Sequence, residues 1–72
     1  MPLTPQQIQR KQALIVKLGA RTLSVSEAYE LKSYLEIERQ DMIAAQNTAA
    51  AMTILAILAV LVAFLIAASK ES

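Results

Sequence analysis

Glu38 and Asp41 stand three residues apart, a spacing that sets two carboxylates on one side of a helix, where such a pair can hold a divalent cation. With Glu27, Glu30 and Glu36 they belong to a stretch that alternates acids, bases and leucines, and there the commoner use of acids is to keep a helix solvated. That use outweighs the metal reading. Ser24 and Ser26 carry hydroxyls, but their positions suit helix caps better than nucleophiles. With no His and no Cys, the usual general acid–base and zinc chemistries have no side chain to run on. One glycine in 72 residues leaves no phosphate-cradling loop. Seven Lys and Arg against six Asp and Glu give a net charge of +1, too balanced for electrostatic nucleic-acid binding. The expectation is a protein that is not an enzyme, with no catalytic, metal or cofactor site, no small-molecule substrate and no nucleic-acid partner.

The elements that carry these residues divide the chain in two. Between Asp41 and Lys70 there is no charged residue, and residues 49–68 contain Thr53 as their one polar member. Twenty residues at ~1.5 Å each make a helix of ~30 Å, the thickness of a bilayer's hydrocarbon core. Ten of the twenty are Leu, Ile, Val or Phe. At about −0.3 to −0.6 kcal/mol each they favour insertion by roughly 3 to 6 kcal/mol. A chain this short, without disulfides, buries too little surface to hide such a helix in a soluble core. The sequence therefore predicts a single-pass, tail-anchored membrane protein: residues 1–48 as a polar helical domain, 49–68 as the transmembrane helix and 69–72 as a short tail. Its position argues against a cleaved signal peptide. Six of the seven basic residues precede the span, which predicts a cytoplasmic N-terminal side in a plasma or inner membrane.

At ~100° per residue, Ala45, Ala49, Ala56, Ala59, Ala63 and Ala67 fall within an arc of roughly 80°, with Met52 among them. Ile54, Leu58, Leu61 and Leu65 fall opposite. Small side chains let a second membrane helix approach closely, so the alanine side is the expected packing face, whether for another protein's span or for a second copy. The competing explanation is chance alignment in an alanine-rich anchor.

In the polar half, Thr4-Pro5-Gln6-Gln7 has the pattern of a capping box, with Thr4 and Gln7 as its reciprocal pair and Leu3 and Ile8 spaced as a hydrophobic staple. Gly19 supplies a left-handed stop, which predicts a first helix over residues 5–18. Ser24 and Glu27 form a second box. No Gly or Pro occurs after Gly19, so the sequence predicts one continuous helix over residues 25–68, ~66 Å long, with Gln46-Asn47-Thr48 as the place for any bend. The fold class expected is all-α: a short N-terminal helix, a tight turn, then one long helix running into a C-terminal span. Ile8, Ile15, Leu18, Leu31 and Leu35 are the expected apolar contacts if the first helix folds back as a hairpin. The alternative is a basic amphipathic helix lying on the membrane, its Arg10, Lys11, Lys17 and Arg21 touching anionic headgroups.

Residues 23–35, Leu23-Ser24-Val25-Ser26-Glu27-Ala28-Tyr29-Glu30-Leu31-Lys32-Ser33-Tyr34-Leu35, resemble the SHOCT module, a short helical hairpin often found near membrane segments. Leu14 and Leu18 look like its first-helix leucines, and Glu27, Lys32 and Leu35 fall at matching offsets. Ala28 stands where that pattern has an aromatic, and Tyr29 comes one position later. The resemblance covers about a third of the chain and implies an oligomerisation or docking role.

Together these readings predict a non-catalytic accessory subunit or adaptor of a larger membrane complex, its partners the lipid bilayer and other transmembrane helices. The alternatives are a self-associating, membrane-active protein of holin or toxin type, disfavoured by the lack of a polar stripe in the span, and a homo-oligomeric membrane scaffold.

Overall fold

The computed structural model describes residues 3–71, which form three α-helices and no strand: α1 (Pro5–Gly19), α2 (Val25–Ala44) and α3 (Thr48–Glu71). Local chemistry accounts for the starts. The Gln7 backbone N–H donates to Thr4 Oγ1 at 3.2 Å, and the Thr4 N–H donates to Gln7 Oε1 at 2.9 Å. Glu27 and Ser24 repeat the exchange at 3.2 and 3.1 Å. Each cap is worth about 1 kcal/mol, because it satisfies donors that the first helical turn leaves open. Asn47 caps α3 more simply, its Oδ1 accepting the Ala50 N–H at 3.2 Å.

The helix ends depart from expectation. Gly19 is still helical, and the left-handed residue that stops α1 is Arg21, at φ 60°. Thr22 N–H donates to the Lys17 carbonyl at 2.9 Å and Arg21 N–H to that of Leu18 at 3.2 Å, the paired bonds of a Schellman turn. Those two bonds offset the ~1–2 kcal/mol that a left-handed conformation costs a residue with a Cβ. Glycine is therefore not required there.

The continuous helix over residues 25–68 is overturned. Gln46 also sits at φ 60°, with Asn47 N–H donating to Met42 carbonyl at 2.8 Å and Gln46 N–H to that of Ile43 at 3.0 Å. This second Schellman turn needs no Gly or Pro, so the lack of both did not keep the helix going. After it, α3 turns back along α2. The longest dimension of the molecule is 39 Å, close to the ~36 Å of the 24-residue α3 alone and far short of ~66 Å. Burial is the reason. The reversal sets Leu58 and Leu61 into one cluster with Leu14, Leu23, Ala28, Leu31 and Leu35. A buried leucine stabilises by about 1.5–3 kcal/mol, so two of them outweigh one strained backbone residue.

α2 lies in the middle, with α1 on one side and α3 along another. Leu31 and Leu35 are fully buried, while Ile15 and Leu18 pack partly buried against the cluster. Ile8 does not join them: it is 38% exposed, and Leu14 is the α1 residue that is completely enclosed. Ile8 lies ~80° round the helix from Leu18, at the rim of the face that α1 turns toward α2.

A Cβ added at Gly19 would meet nothing within 4 Å. Gly19→Ala should therefore raise stability by about 0.5–1 kcal/mol, read as a higher thermal midpoint by circular dichroism. A lower midpoint would mean that Gly19 adopts the left-handed stop after all.

Candidate functional site

α3 has two unlike sides, set by the 3.6-residue period of its own sequence. The side that meets the hairpin carries Ala51, Leu58 and Leu61, all buried, with Ile54, Phe64 and Leu65 packed around them. The opposite side faces outward. Ala45 at the end of α2 and Ala49, Ala56, Ala59, Ala63 and Ala67 on α3 are all exposed. Larger apolar residues lie on and beside that ridge: Met52, within it, is 66% exposed, and Val60 and Ile66, flanking it, 58% and 51%. The alanine arc is thus not the face by which α3 packs within its own chain. Leucines fill the internal interface, because their branched side chains bury more area per residue than alanine does.

Among the described residues one helix, Thr48–Lys70, is long and apolar enough to cross a membrane, and 17% of its most apolar window is buried. A core helix of a water-soluble protein would be mostly covered. The whole chain exposes 5016 Å², against roughly 4,400 Å² for a globular monomer of its 7.8 kDa mass. Most of the outward side of α3 is apolar, an exposed patch of the kind that marks a membrane or partner surface.

The hairpin end of the molecule is polar and ordered by charge. Arg10 donates from Nε and one terminal nitrogen to the two oxygens of Glu30, at 2.9 and 3.2 Å. Lys11 Nζ reaches both oxygens of Glu38, at 2.8 and 2.9 Å, and Lys17 Nζ reaches Glu27 Oε2 at 2.6 Å. Tyr34 donates its hydroxyl to Glu30 at 2.9 Å. Three acids expected on a solvated face are therefore partners of α1. Of the four cations suited to headgroup contact, three are turned inward onto α2. α1 is half of a hairpin rather than a helix free to lie on a membrane. Glu38, one of the two acids that could have held a cation, spends both oxygens on Lys11.

These contacts shift the carboxyls. The Lys17 ammonium, and after it the Ser24 backbone N–H, hold the Glu27 carboxyl down to about 2. Arg10 and then Tyr34 hold Glu30 below its ordinary range, and the same Glu30 carboxylate pushes the Tyr34 phenol up.

A cleft of about 440 Å³ opens where the three helices meet, between the Lys11–Glu38 pair and the apolar Met42, Ile54 and Ile57. The Thr53 hydroxyl at its wall donates to the Ala49 carbonyl at 3.1 Å. Arg21 escapes a reading of the sequence, because its type signals no turn, whereas Gln46 lies in the Gln46-Asn47-Thr48 stretch expected to hold any bend. Asn47, a favoured cap residue just ahead of an apolar run, was the available sign of the second reversal.

Glu27 and Glu30 are ionised in both folded and unfolded chains at neutral pH. Their contribution to hairpin stability is complete above the ordinary carboxyl range and is lost as pH falls through the depressed folded values, which for Glu27 is about 2. Thermal midpoints measured by circular dichroism should hold steady from pH 7 to about 5 and drop below that. Glu27→Gln should flatten the drop; an unchanged profile would remove the Lys17–Glu27 contact as its source. The chain matches no family model, no characterised protein and no solved structure.

Proposed function

We propose that this chain is a non-catalytic, single-span accessory subunit or adaptor of a larger membrane protein complex. α3 crosses the bilayer and docks against a partner's span through Ala49, Ala56, Ala59, Ala63 and Ala67, while the α1–α2 hairpin stays on the cytoplasmic side. The observation that carries this reading is the division of α3 into a leucine side and an alanine ridge that lies open among exposed apolar residues. Lipid gives two apolar helices no hydrophobic drive to associate, so membrane helices pack where small residues let backbones come close. A ridge of alanines meets that requirement and leucine would not. The excess of Lys and Arg before the span supports the orientation. The likeness of residues 23–35 to the SHOCT hairpin fits a second, docking contact outside the membrane.

The test is affinity purification from native membranes with Ala59→Leu and Ala63→Leu combined. Each substitution adds a branched side chain at the closest point of a helix crossing, and the double variant should lose most of the co-purifying protein, tenfold or more, while remaining in the membrane fraction. Undiminished co-purification would overturn the docking face. Recovery of the wild-type chain with copies of itself alone would instead make it a homo-oligomeric scaffold.

A further inference from the structure

The turns that end α1 and α2 are alike, but the two helix pairs they join are held together by different forces. α1 is fastened to α2 by four cation–carboxylate contacts, Arg10–Glu30, Arg10–Glu27, Lys11–Glu38 and Lys17–Glu27, beside the apolar contacts of Leu14, Ile15 and Leu18. α3 meets the hairpin through apolar contacts, centred on Leu58 and Leu61 against Leu31 and Leu35. Acyl chains cover leucine as well as a leucine-lined helix does, so a bilayer can replace the hairpin's cover over Leu58 and Leu61, at the cost of uncovering Leu31 and Leu35. It cannot replace the ionic hold on α1.

The folded-back arrangement is also incompatible with spanning. α2 runs alongside α3 and carries Lys32, Glu36, Glu38, Arg39 and Asp41. If α3 crossed the hydrocarbon in that arrangement, it would draw these charges in with it, where each is strongly disfavoured. α3 must therefore leave α2 in order to cross. The joint between them is Ala45, Gln46 and Asn47, in which Gln46 alone has a positive φ. Gln and its neighbours are compatible with a helix interior, and there is no Pro or Gly from residue 20 onward. Moving Gln46 from the left-handed to the right-handed region, with the non-helical cap residue Asn47 following it into the helix, joins α2 and α3 into one helix.

We propose that Gln46 is the hinge of a two-state chain, closed with α3 folded on α2 away from lipid and open with α2 and α3 as one helix once α3 enters a bilayer. This rests on the membrane reading above. Opening transfers Leu58 and Leu61 to lipid and uncovers Leu31 and Leu35 on the hairpin. The exposed face of α2 is then coupled to whether α3 is inserted.

The experiment uses the full chain with nitroxides at Ser33→Cys and Val60→Cys, two exposed positions in a protein without other cysteines, diluted with unlabelled chain. Along a continuous helix the two lie about 40 Å apart; folded back they lie within one to two helix diameters, roughly 10–20 Å. Vesicles of phosphatidylcholine and phosphatidylglycerol are added, binding is established by flotation, and distances are read by electron paramagnetic resonance. The expected result is a short distance in buffer and a long one in floated vesicles. At limiting lipid, where both populations coexist, Gln46→Gly should raise the closed-to-open ratio about tenfold, since glycine tolerates the left-handed region and weakens a helix. Gln46→Ala should lower it about twofold. A chain that floats but keeps the short distance overturns the hinge and leaves attachment to the membrane standing, with α3 lying on the bilayer rather than across it. Gln46 variants that do not move the ratio overturn the assignment to this residue. A chain that does not float overturns the membrane reading and the hinge with it.

Discussion

The dominant constraint in this molecule is the apolar surface of α3, which is larger than the rest of the chain can cover. A helix of 24 residues without a charge until Lys70 presents apolar side chains all round, whereas the hairpin offers one groove. The groove takes the leucine side, because that side yields the most buried area per residue and interlocks with Leu31 and Leu35. Everything else about α3 derives from that choice. The reversal at Gln46 is what brings the leucines home, and the exposure of the alanine ridge is what remains when they are.

The hairpin is organised on a different principle. Its apolar contacts with α1 are few, with Leu14 the one residue of that helix fully enclosed. Contacts between Arg10, Lys11 and Lys17 and the carboxylates of α2 set how the two helices lie against each other. Exposed ion pairs contribute little individually, but Arg10–Glu30 is two-pronged and Glu30 also takes the Tyr34 hydroxyl, so these pairs form a network with fixed geometry. A unit held by charge on one side and by leucines on the other can part with its apolar partner in lipid and keep its ionic one.

The helix starts were legible because a cap is a short-range device. Thr4 with Gln7, and Ser24 with Glu27, meet across three residues whatever the rest of the chain does. The helix ends were not legible in the same way. Gly19 carried the expected signal and is helical, Arg21 carries none and is left-handed, and the stretch from Gln46 to Thr48 marked a place for a bend without marking a full reversal. Their conformation is imposed by where the next helix packs. The ion pairs were hidden for a related reason: Lys11 and Glu38 are 27 residues apart, and no local pattern marks them as partners. Ile8 was misread because periodicity sorts residues by side but does not say where along a helix a contact begins.

By itself the sequence determined three things: that the chain is helical, that one segment is apolar enough to cross a membrane, and that this segment has a leucine side and an alanine side. Each arises from interactions within about one turn of helix, or from simple addition of transfer energies. Only the tertiary structure decided that the long helix breaks at Gln46, that α3 returns along α2, and that the leucine side is the one consumed. Those outcomes depend on Leu58 and Leu61 meeting Leu31 and Leu35 across more than twenty residues of chain. Such contacts form only when several segments settle together, and the entropy of closing the chain is balanced against burial for the molecule as a whole rather than for any one stretch of it.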